Sequence, residues 1–520
     1  MVVSMSFRIL PAALVCSLGL AACSGNDDGT TTTNTTAVVS ASDSRGTLLE
    51  NPPRRVASLD SAAALDLLLT LANGQSIRDA AGPLSCGIDF HRIEYWTVDS
   101  LKKPIAVSGV LMAPTGSAAV CNGARPIVVY AHGTSFDKSY NLASTSLSSA
   151  ALTESLLMAA VFAARGYVVV APNYVGYDKS NNVFHPYLIA EQSASDMIDA
   201  LTASRKAFGK IQASGLSDSG KLFLTGYSQG GHVAMATHRA MQTAGQTVTA
   251  SVPMSGPYAV AAFLDTVVRA NVGFSSTFFM PMLTTSFQKT YGGLYTATAD
   301  VFEDRYASGI EALLPSSSST DDLVSQGKLP EKALFSDTTP VTGDASLDAL
   351  LSKPTDRIYS QGFGNPNLVR NSFRVAVARD SVSNPDGAVS SPQRPAVPTA
   401  TTTGHPFRTA AKTNDLRNWQ PTNPVLLCGG NADPTVNFGI NTTTMQTYWA
   451  SLPAGRVTVL DIDKVTTTTD QAYASQRDGF ASAKRNLERS GGQSSVDSSY
   501  HTTVAIYCSS VAREFFDRLR

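Results

Sequence analysis

Ser228, in the stretch KLFLTGYSQGG, is the residue whose setting most clearly suggests covalent chemistry. A run with strand character precedes it and a helical pattern follows at once. At such a corner the serine takes a strained backbone conformation, and Gly226 and Gly230 remove side chains that would collide with it. The first N–H groups of the helix then lie beside the serine oxygen. The corner predicts a nucleophilic serine, with the Gln229 amide as an oxyanion donor.

A serine hydroxyl is a weak nucleophile until a base accepts its proton, so a histidine partner is required. The chain has seven histidines: His91, His132, His185, His232, His238, His405 and His501. The corner resembles the nucleophile turn of the α/β hydrolases, and this resemblance implies the chain order nucleophile, acid, histidine. Only His501 lies beyond the late predicted strand PVLLCGG, in SSYHTTVAIYC, which we interpret as a loop entering the final helix. The sequence therefore predicts His501 as the base.

The other histidines near the predicted site are interpreted as structural. His132 is expected to brace a loop. His232 and His238, on the helix behind the serine, are expected to be packed or exposed residues. His185, in VFHPYL, has two interpretations, a residue that shapes the pocket or a loop brace.

The acid that orients the base is predicted to be Asp433, in CGGNADPTV. It follows the C-terminal end of a predicted strand, the edge where sites of open α/β sheets gather. Pro434 fits a turn or a first helical residue, so Asp433 has a second interpretation as a plain helix N-cap. Asp461 and Asp463, after the next strand, are rival acids.

A second oxyanion donor is needed besides the Gln229 amide. The motif VVYAHGTSF places His132, Gly133 and Thr134 at the end of an earlier strand. We favour the Thr134 amide as this donor.

Short apolar strands that alternate with longer helical segments must position these residues. The predicted strands PIVVYA, YVVVAP, KLFLT, TASVPMSG, PVLLCGG and RVTVLDI are continuous apolar runs. Such runs, alternating with helices, indicate a mostly parallel α/β sheet buried on both faces. IDFHRIEYWTV and PIAVSGVLMA, joined by DSLKK, predict an antiparallel hairpin before it.

The alternation stops between residues 257 and 423, where helical material is mixed with Ser-, Pro- and Thr-rich loops. We interpret 257–423 as a cap or lid inserted into an α/β core of residues 51–256 and 424–520. Its stretch VGFSSTFFMPMLTTSF suits an apolar acyl pocket or a lid, and packing inside the cap is an equal interpretation.

The first residues are interpreted as a targeting segment. MVVSMSFRILPAALVCSLGLAAC has one positive charge, an apolar run too short to span a bilayer, and then small residues. Residues 1–22 therefore predict a signal peptide that resembles a bacterial lipoprotein signal, with Cys23 as the lipidated residue. Residues 23–50 read as a disordered tether. We expect export to the bacterial outer membrane with lipid anchoring. An ordinary signal and a periplasmic or secreted protein are the alternative.

The cysteines and the charge balance bear on disulfides, metal sites and nucleic-acid binding. Cys86 and Cys121 flank the open end of the predicted hairpin, so we expect a Cys86–Cys121 disulfide, which leaves Cys428–Cys508. No pair has short metal-ligand spacing, so no metal is expected. A net charge of -1 and 16% charged residues argue against nucleic-acid binding. No cofactor is required, and the oligomeric state is left open.

The motifs AHGT, APNYVGYDKSNNVFHPYLIAEQSASDMIDALTASRKAF, GYSQGG, CGGNADPTV and YHTTV together resemble the α/β-hydrolase superfamily, and within it the secretory-lipase-like esterases and lipases. The similarity runs from about Ile88 to the C-terminus, apart from much of the cap. Relatives often have Asp where Asn173 stands. The resemblance implies an α/β-hydrolase fold and a Ser228–Asp433–His501 esterase, with Thr134 and Gln229 as oxyanion donors by position.

The predicted function is carboxylic-ester hydrolysis through an acyl-enzyme, on an ester or lipid substrate. A serine peptidase or an acyltransferase would share the triad and differ only in the pocket. A non-catalytic surface lipoprotein that uses the fold for binding is the alternative from a different class.

Overall fold

The computed structural model describes residues 44–72, 74–211, 215–385 and 404–520. These residues contain a sheet whose nine strands are β1 (Arg54–Leu59), β2 (Gly87–Val98), β3 (Pro104–Thr115), β4 (Ala124–Ala131), β5 (Val168–Pro172), β6 (Ser217–Tyr227), β7 (Ala250–Met254), β8 (Val425–Gly429) and β9 (Val457–Asp461). Their order across the sheet is β1-β2-β3-β5-β4-β6-β7-β8-β9.

Helices alternate with the strands and fill the long interval between β7 and β8. Before β7 they are α1 (Ala62–Leu71), α2 (Gln75–Ala81), α3 (Leu152–Val161), α4 (Ala190–Ala207) and α5 (Gln229–Thr243). Between β7 and β8 they are α6 (Val260–Arg269), α7 (Ser276–Tyr291), α8 (Asp304–Ala307), α9 (Thr320–Ser325), α10 (Ala345–Leu350), α11 (Asn371–Ser383) and α12 (Pro406–Thr413). After β8 come α13 (Thr444–Tyr448) and α14 (Ala474–Asp517).

Single turns of other helix types complete the secondary structure of the described residues. Turns of 3-10 helix occupy Ala119–Cys121, Ala163–Arg165, Asp178–Ser180, Thr298–Asp300, Ile310–Ala312 and Tyr359–Gly362, and a π-helical turn occupies Gly439–Thr443.

The sheet is antiparallel at its N-terminal side and parallel elsewhere. β2 and β3 pair along their full lengths, from Gly87 opposite Thr115 to Val98 opposite Pro104, and β3 then pairs antiparallel with β5. From β5 onward every pair is parallel. The predicted fold class, a mostly parallel α/β sheet with an antiparallel N-terminal hairpin, is confirmed.

The central strands are buried on both faces, which is why their sequences are continuous apolar runs. Every residue of β5, β7 and β8 is buried. Helices on both sides of a parallel sheet exclude water from it in this way. Strands β4, β6, β7, β8 and β9 run parallel to one another. Their carboxyl ends therefore meet at one edge of the sheet, where the connecting loops can place functional side chains.

The interval between β7 and β8 has its own hydrophobic cluster. Side chains of α6, α7, α11 and α12 pack together with loop residues such as Phe302 and Phe335, largely apart from the cluster under the sheet. Arg374 is completely buried within it and lies over the rings of Phe335 and Phe363, at 4.2 and 5.0 Å from their centroids.

α14 is a helical hairpin rather than one straight helix. Gly491 and Gly492 have non-helical backbone angles, with φ of +66° at Gly492, and divide the helix into two arms. The arms pack side by side, since Gln476 near the start of the first arm donates to Glu514 near the end of the second at 2.8 Å. A glycine at the reversal is expected because a positive φ strains other residues.

Two disulfides join Cys86 to Cys121 and Cys428 to Cys508, with Cα–Cα distances of 5.5 and 5.8 Å. These are the pairs expected from the sequence. The second one links β8 to the second arm of α14. Among the described residues, none of the helices combines the length and the apolar character that crossing a bilayer requires.

The predicted signal peptide, Cys23 and the tether up to residue 43 lie outside the described residues. The last part of the predicted tether, residues 44–50, is folded. The Gly46 N–H donates to the Trp96 carbonyl and the Leu49 N–H to that of Glu94, both at 2.8 Å. Arg45 pairs with Asp199 at 2.9 Å. The prediction of a disordered segment reaching residue 50 is therefore corrected, because these bonds add the segment to the edge of β2.

Candidate active site

Ser228 lies on a sharp corner between β6 and α5. Its backbone angles, φ +59° and ψ −124°, are rare for a residue with a side chain. The corner fits against the neighbouring strand β4 only because its two flanking residues are glycines, which have no side chain. A Cβ atom on Gly226 would lie 2.4 Å from the Ala131 carbonyl oxygen, and one on Gly230 would lie 2.0 Å from it. The Ser228 N–H donates to the Met254 carbonyl at 2.9 Å, which ties the corner to β7.

His501 and Asp433 are joined by a short hydrogen bond. His501 Nδ1 lies 2.6 Å from Asp433 Oδ2, and the two residues are 8% and 4% exposed. The other carboxylate oxygen, Asp433 Oδ1, accepts from the N–H groups of Thr435 and Val436. His501 Nε2 is buried and has no hydrogen-bond partner among the described residues. A histidine held this way at Nδ1 presents Nε2 as a base.

The ring of Tyr227 places this histidine beside the serine corner. Tyr227 directly precedes Ser228, and its ring centroid lies 5.1 Å from that of His501. A Cβ on Gly133 would meet Tyr227 Cε1 at 2.4 Å. The Tyr227 ring therefore contacts both Gly133 and His501 at the carboxyl edge of the sheet.

The rival acids Asp461 and Asp463 are bonded elsewhere. Asp461 accepts from the side chain of Asn431 at 2.7 Å. Asp463 forms an ion pair with Lys484 at 2.6 Å and accepts from the Tyr500 hydroxyl at 2.8 Å. Of the three carboxylates, Asp433 is the one in contact with the His501 ring.

The loop that carries Thr134 follows β4, which is next to β6 in the sheet. Ala131, the last residue of β4, pairs with Gly226. The Gly133 N–H donates to Glu154 Oε1 at 3.0 Å, so α3 anchors the loop. The hydroxyls of Tyr130 and Tyr140 donate to the same carboxylate. Burial raises the pKa of Glu154, and these three donors act against that rise.

His185 is a brace, the second of its two interpretations. Its Nδ1 lies 2.7 Å from the Val175 carbonyl, so Nδ1 is the protonated nitrogen. Nε2 then accepts from the side-chain amide of Gln229 at 2.7 Å. Burial lowers the pKa of His185 to about 3, which keeps the ring neutral. The residue that follows the serine is thus held by a histidine from another loop.

The other histidines near the site are also buried structural residues. His132 stacks on Tyr174 with ring centroids 4.0 Å apart. His232 Nε2 lies 3.0 Å from the Asn414 carbonyl and His238 Nδ1 lies 2.8 Å from Ser251 Oγ. Within the part of the chain that the structure describes, no three His, Cys, Asp or Glu side chains are grouped as a metal site.

Asn173 bonds three segments together. Its Oδ1 accepts from the Leu142 N–H at 2.9 Å, and its Nδ2 donates to Ser108 Oγ at 3.0 Å and to Asn141 Oδ1 at 3.2 Å. An aspartate has no donor for these last two acceptors. The amide thus suits its neighbours in this chain.

Aromatic side chains from the inserted segment lie against the Thr134 loop. Phe136 packs on Phe278 and Phe279 of α7, with ring centroids 5.2 and 5.4 Å apart. Tyr187 lies parallel to Phe279, and its hydroxyl is 3.1 Å from Thr134 Oγ1. α7 contains the Phe- and Met-rich stretch for which the sequence suggested an acyl pocket, a lid or packing in the cap.

The sequence misplaced His501 and missed its neighbours. His501 lies within the second arm of α14 and not in a loop entering it. The Ser- and Thr-rich stretch around it is typical of helix starts, but this arm begins earlier, after Gly492. Tyr227 and Tyr500 directly precede Ser228 and His501, and this adjacency was the available signal. Glu154 had no local signal, because its partners are remote in sequence.

Comparison with known proteins agrees with this geometry. A family model described as secretory lipase matches residues 142–247, a stretch that includes Ser228. No curated protein matches the chain.

Solved structures share the fold over most of the chain. The rice cell wall degrading esterase LipA from Xanthomonas oryzae, in a ligand-bound form, superposes with a TM-score of 0.65 at 25% identity, covering 92% of this chain and 100% of LipA. A protein from Legionella pneumophila described as a hydrolase gives a TM-score of 0.61 at 16% identity, covering 91% of this chain and 98% of its own. This second likeness shows the fold alone.

The sheet topology and these likenesses identify the α/β-hydrolase fold and support an enzyme of the carboxylic ester hydrolase class.

Proposed function

We propose that the protein is a serine carboxylic-ester hydrolase in which Ser228 is the nucleophile, His501 the general base and Asp433 the residue that orients it. The observation that carries the proposal is the 2.6 Å contact between His501 Nδ1 and Asp433 Oδ2, beside a serine with φ of +59°. The unpartnered Nε2 of His501 supports the same assignment, since a base must keep this nitrogen available to the serine hydroxyl.

The reaction is acyl transfer in two halves. His501 accepts the Ser228 proton while the serine oxygen attacks the ester carbonyl, and the tetrahedral intermediate expels the alcohol with a proton returned from His501. Water then attacks the acyl-enzyme with His501 again as base, which releases the acid and restores Ser228. Asp433 fixes the tautomer of His501 and stabilises its protonated form.

The backbone amides of Thr134 and Gln229 are the proposed oxyanion donors. Gln229 begins α5, so its N–H is one of those left without an intrahelical partner and lies at the positive end of the helix dipole. Thr134 follows Gly133, whose N–H is already bonded to Glu154. The loop is thus anchored one residue before the proposed donor.

We propose an ester with an apolar acyl group as the substrate class, and residues 257–423 as a cap over the site. The aromatic rings of Phe136, Phe279 and Tyr187 support this, because they line the side of the Thr134 loop that faces the inserted segment. LipA, which is similar over 92% of this chain, is an esterase. Export and a lipid anchor on Cys23 stay predictions from the sequence.

The triad is tested by labelling with a fluorophosphonate and by hydrolysis of nitrophenyl esters of graded chain length. Ser228→Ala is expected to abolish labelling, and Ser228→Ala or His501→Ala to lower turnover by about 10⁴–10⁶-fold. Asp433→Asn is expected to cost on the order of 10⁴-fold, because the amide reverses the required tautomer. Asp463→Asn, the matched change in the rival acid, is expected to cost far less.

Undiminished labelling of Ser228→Ala would rule out the assigned nucleophile, and failure of the folded wild-type protein to label would favour a binding protein. Full activity in Asp433→Asn together with an inactive Asp463→Asn would transfer the acid role to Asp463. Aminoacyl amides cleaved faster than esters would favour the peptidase alternative.

A further inference from the structure

The Tyr500 hydroxyl joins the loop of the proposed acid to the helix of the proposed base. It accepts from the Ala432 N–H at 3.2 Å, and Ala432 directly precedes Asp433. Tyr500 itself directly precedes His501. The Tyr500 hydroxyl therefore links the same two segments that the Asp433–His501 bond joins, the Asp433 loop and the His501 helix.

Asp463 and Lys484 fix the orientation of this hydroxyl. The Tyr500 O–H donates to Asp463 Oδ2 at 2.8 Å, which leaves its lone pairs for the Ala432 N–H. Lys484 Nζ contacts both oxygens of Asp463, at 2.6 and 2.7 Å. Burial, followed by the charge of Asp463, raises the pKa of Tyr500 well above its usual range, so the hydroxyl stays protonated and remains a donor.

Gly430, which has no side chain, leaves room for the Tyr500 hydroxyl. A Cβ atom at this position would lie 2.5 Å from the Tyr500 hydroxyl oxygen. Any larger residue would push the ring away from the Asp433 loop. The loop thus approaches Tyr500 as closely as backbone atoms allow.

An open cavity lies beside these hydrogen bonds. Ala432, Asp463, Lys484 and Tyr500 all line one cavity of about 660 Å³. The hydrogen bonds through Tyr500 therefore tie the loop to the histidine helix in addition to the Asp433–His501 bond and the Cys428–Cys508 disulfide.

We propose that Tyr500 is a positioning residue for the triad, and that Asp463 and Lys484 act through it. The rejected acid, Asp463, thereby has a role in catalysis without touching the substrate. The inference rests on the proposed function, because it assigns Tyr500 an effect only through Asp433 and His501. The Tyr500 hydroxyl sets the distance between the Asp433 loop and the His501 helix over which the 2.6 Å bond forms.

The test uses Tyr500→Phe in the full-length protein, with nitrophenyl ester hydrolysis and fluorophosphonate inactivation as readouts. We expect kcat and the inactivation rate to fall about tenfold, the effect of one lost hydrogen bond, with KM within about twofold of wild type. Tyr507→Phe is the matched control. Tyr507 lies two turns further along the same arm, packs on the same Phe480, and directs its hydroxyl to Ser76.

A double-mutant cycle separates positioning from general structural support. If Tyr500 acts through Asp433, then Tyr500→Phe in an Asp433→Asn background lowers kcat no further. Asp463→Asn provides a second variant that keeps the shape of the side chain and weakens the bond to Lys484. We expect it to lower kcat severalfold with an unchanged KM, whether or not Tyr500→Phe folds.

Wild-type kcat in Tyr500→Phe would overturn the inference, as would equal losses in Tyr500→Phe and Tyr507→Phe. A further tenfold loss in the Asp433→Asn background would overturn it too, and so would wild-type kcat in Asp463→Asn. In all these outcomes the wild-type protein still labels at Ser228, so the proposed function survives. Absence of labelling in the wild-type protein would instead remove the proposed function itself.

Discussion

At the scale of single residues, the strained backbone of Ser228 explains why its neighbours are predictable. A positive φ on a residue with a side chain costs about 1–3 kcal/mol and persists only where the surroundings enforce it. Two features enforce it at Ser228. Gly226 and Gly230 pack against the Ala131 carbonyl, and the Ser228 N–H donates to the Met254 carbonyl. The glycines are visible in the sequence, so the corner is predictable from it. Partners such as Tyr500 and Glu154 are not, because their contacts join segments far apart in the chain.

Among single residues, His185 offers a test of how the proposed oxyanion donor is held. His185→Phe removes the acceptor of the Gln229 side-chain amide while keeping an aromatic ring. We expect kcat/KM to fall about tenfold, because α5 then begins with an unpaired buried amide. Since the pKa of His185 is lowered to about 3, the ring is neutral across the working range. The acid limb of the pH profile of kcat/KM is therefore expected to keep its midpoint.

The measurement is the pH profile of kcat/KM between about pH 5 and 8, with His238→Gln as a remote histidine control. His238 is on the same helix and contacts Ser251. A shifted acid limb in His185→Phe would show that His185 titrates in catalysis and is not a neutral brace. An unchanged kcat/KM would show that Gln229 does not need the brace.

At the scale of elements, the sheet was predictable and the histidine helix was not. Alternation of apolar strands and helices predicts that β4, β6 and β8 run parallel, so that Ser228 and Asp433 meet at one edge. His501 reaches that edge on a helical hairpin, whose reversal at Gly491 and Gly492 has only two glycines as its signal. Its register is set by tertiary contacts, such as the packing of Phe480 on Tyr500.

The Cys428–Cys508 disulfide is expected to matter for both stability and activity. It closes a separation of 80 residues, against 35 for Cys86–Cys121. In the chain-entropy account this difference makes the longer bridge worth about 0.7 kcal/mol more. It also joins the strand before Asp433 to the helix of His501, whereas Cys86–Cys121 flanks the β2–β3 hairpin. Removal of Cys428–Cys508 should therefore lower kcat as well as stability.

The comparison uses two double variants, Cys428→Ala with Cys508→Ala, and Cys86→Ala with Cys121→Ala. Urea unfolding gives the free energy of unfolding, and ester hydrolysis below the transition gives kcat. We expect both variants to be less stable by about 2–5 kcal/mol, with kcat reduced only in the first. Equal kcat in the two variants would mean that the bridge does not help to align Asp433 with His501.

At the scale of the whole molecule, the inserted segment contacts the sheet region near the proposed site. The inserted segment has its own hydrophobic cluster and contacts the Thr134 loop where Lys138 N–H donates to the Ser316 carbonyl at 2.9 Å. Arg357 pairs with Asp497, one turn before His501, and this contact lowers the pKa of Asp497. The bounds 257–423 of the inserted segment stay a prediction from composition. These contacts had no sequence signal, because they depend on how the two clusters pack.

Across the molecule, buried histidines are expected to make the stability depend on pH. Burial lowers the pKa of His132, His232 and His238 to about 4 and that of His185 to about 3. Each stays neutral when folded but binds a proton in the unfolded chain below about pH 6.5. Their full stabilisation is therefore present above about pH 6.5 and is lost as the pH falls towards 4. Glu154, Asp196 and Asp199, whose pKa values burial raises, act in the opposite direction.

His238→Gln isolates one histidine from these opposing groups. His238 faces Ser251 and the edge of Trp419, and burial is the one cause of its lowered pKa. A difference between variant and wild type cancels every other titration. We expect the free energy of unfolding of wild type to fall more steeply between about pH 6.5 and 4 than that of the variant, by up to about 1.4 kcal/mol per pH unit. Urea unfolding at pH 7, 6 and 5 measures the slopes, and parallel slopes would show that His238 is protonated in the folded protein.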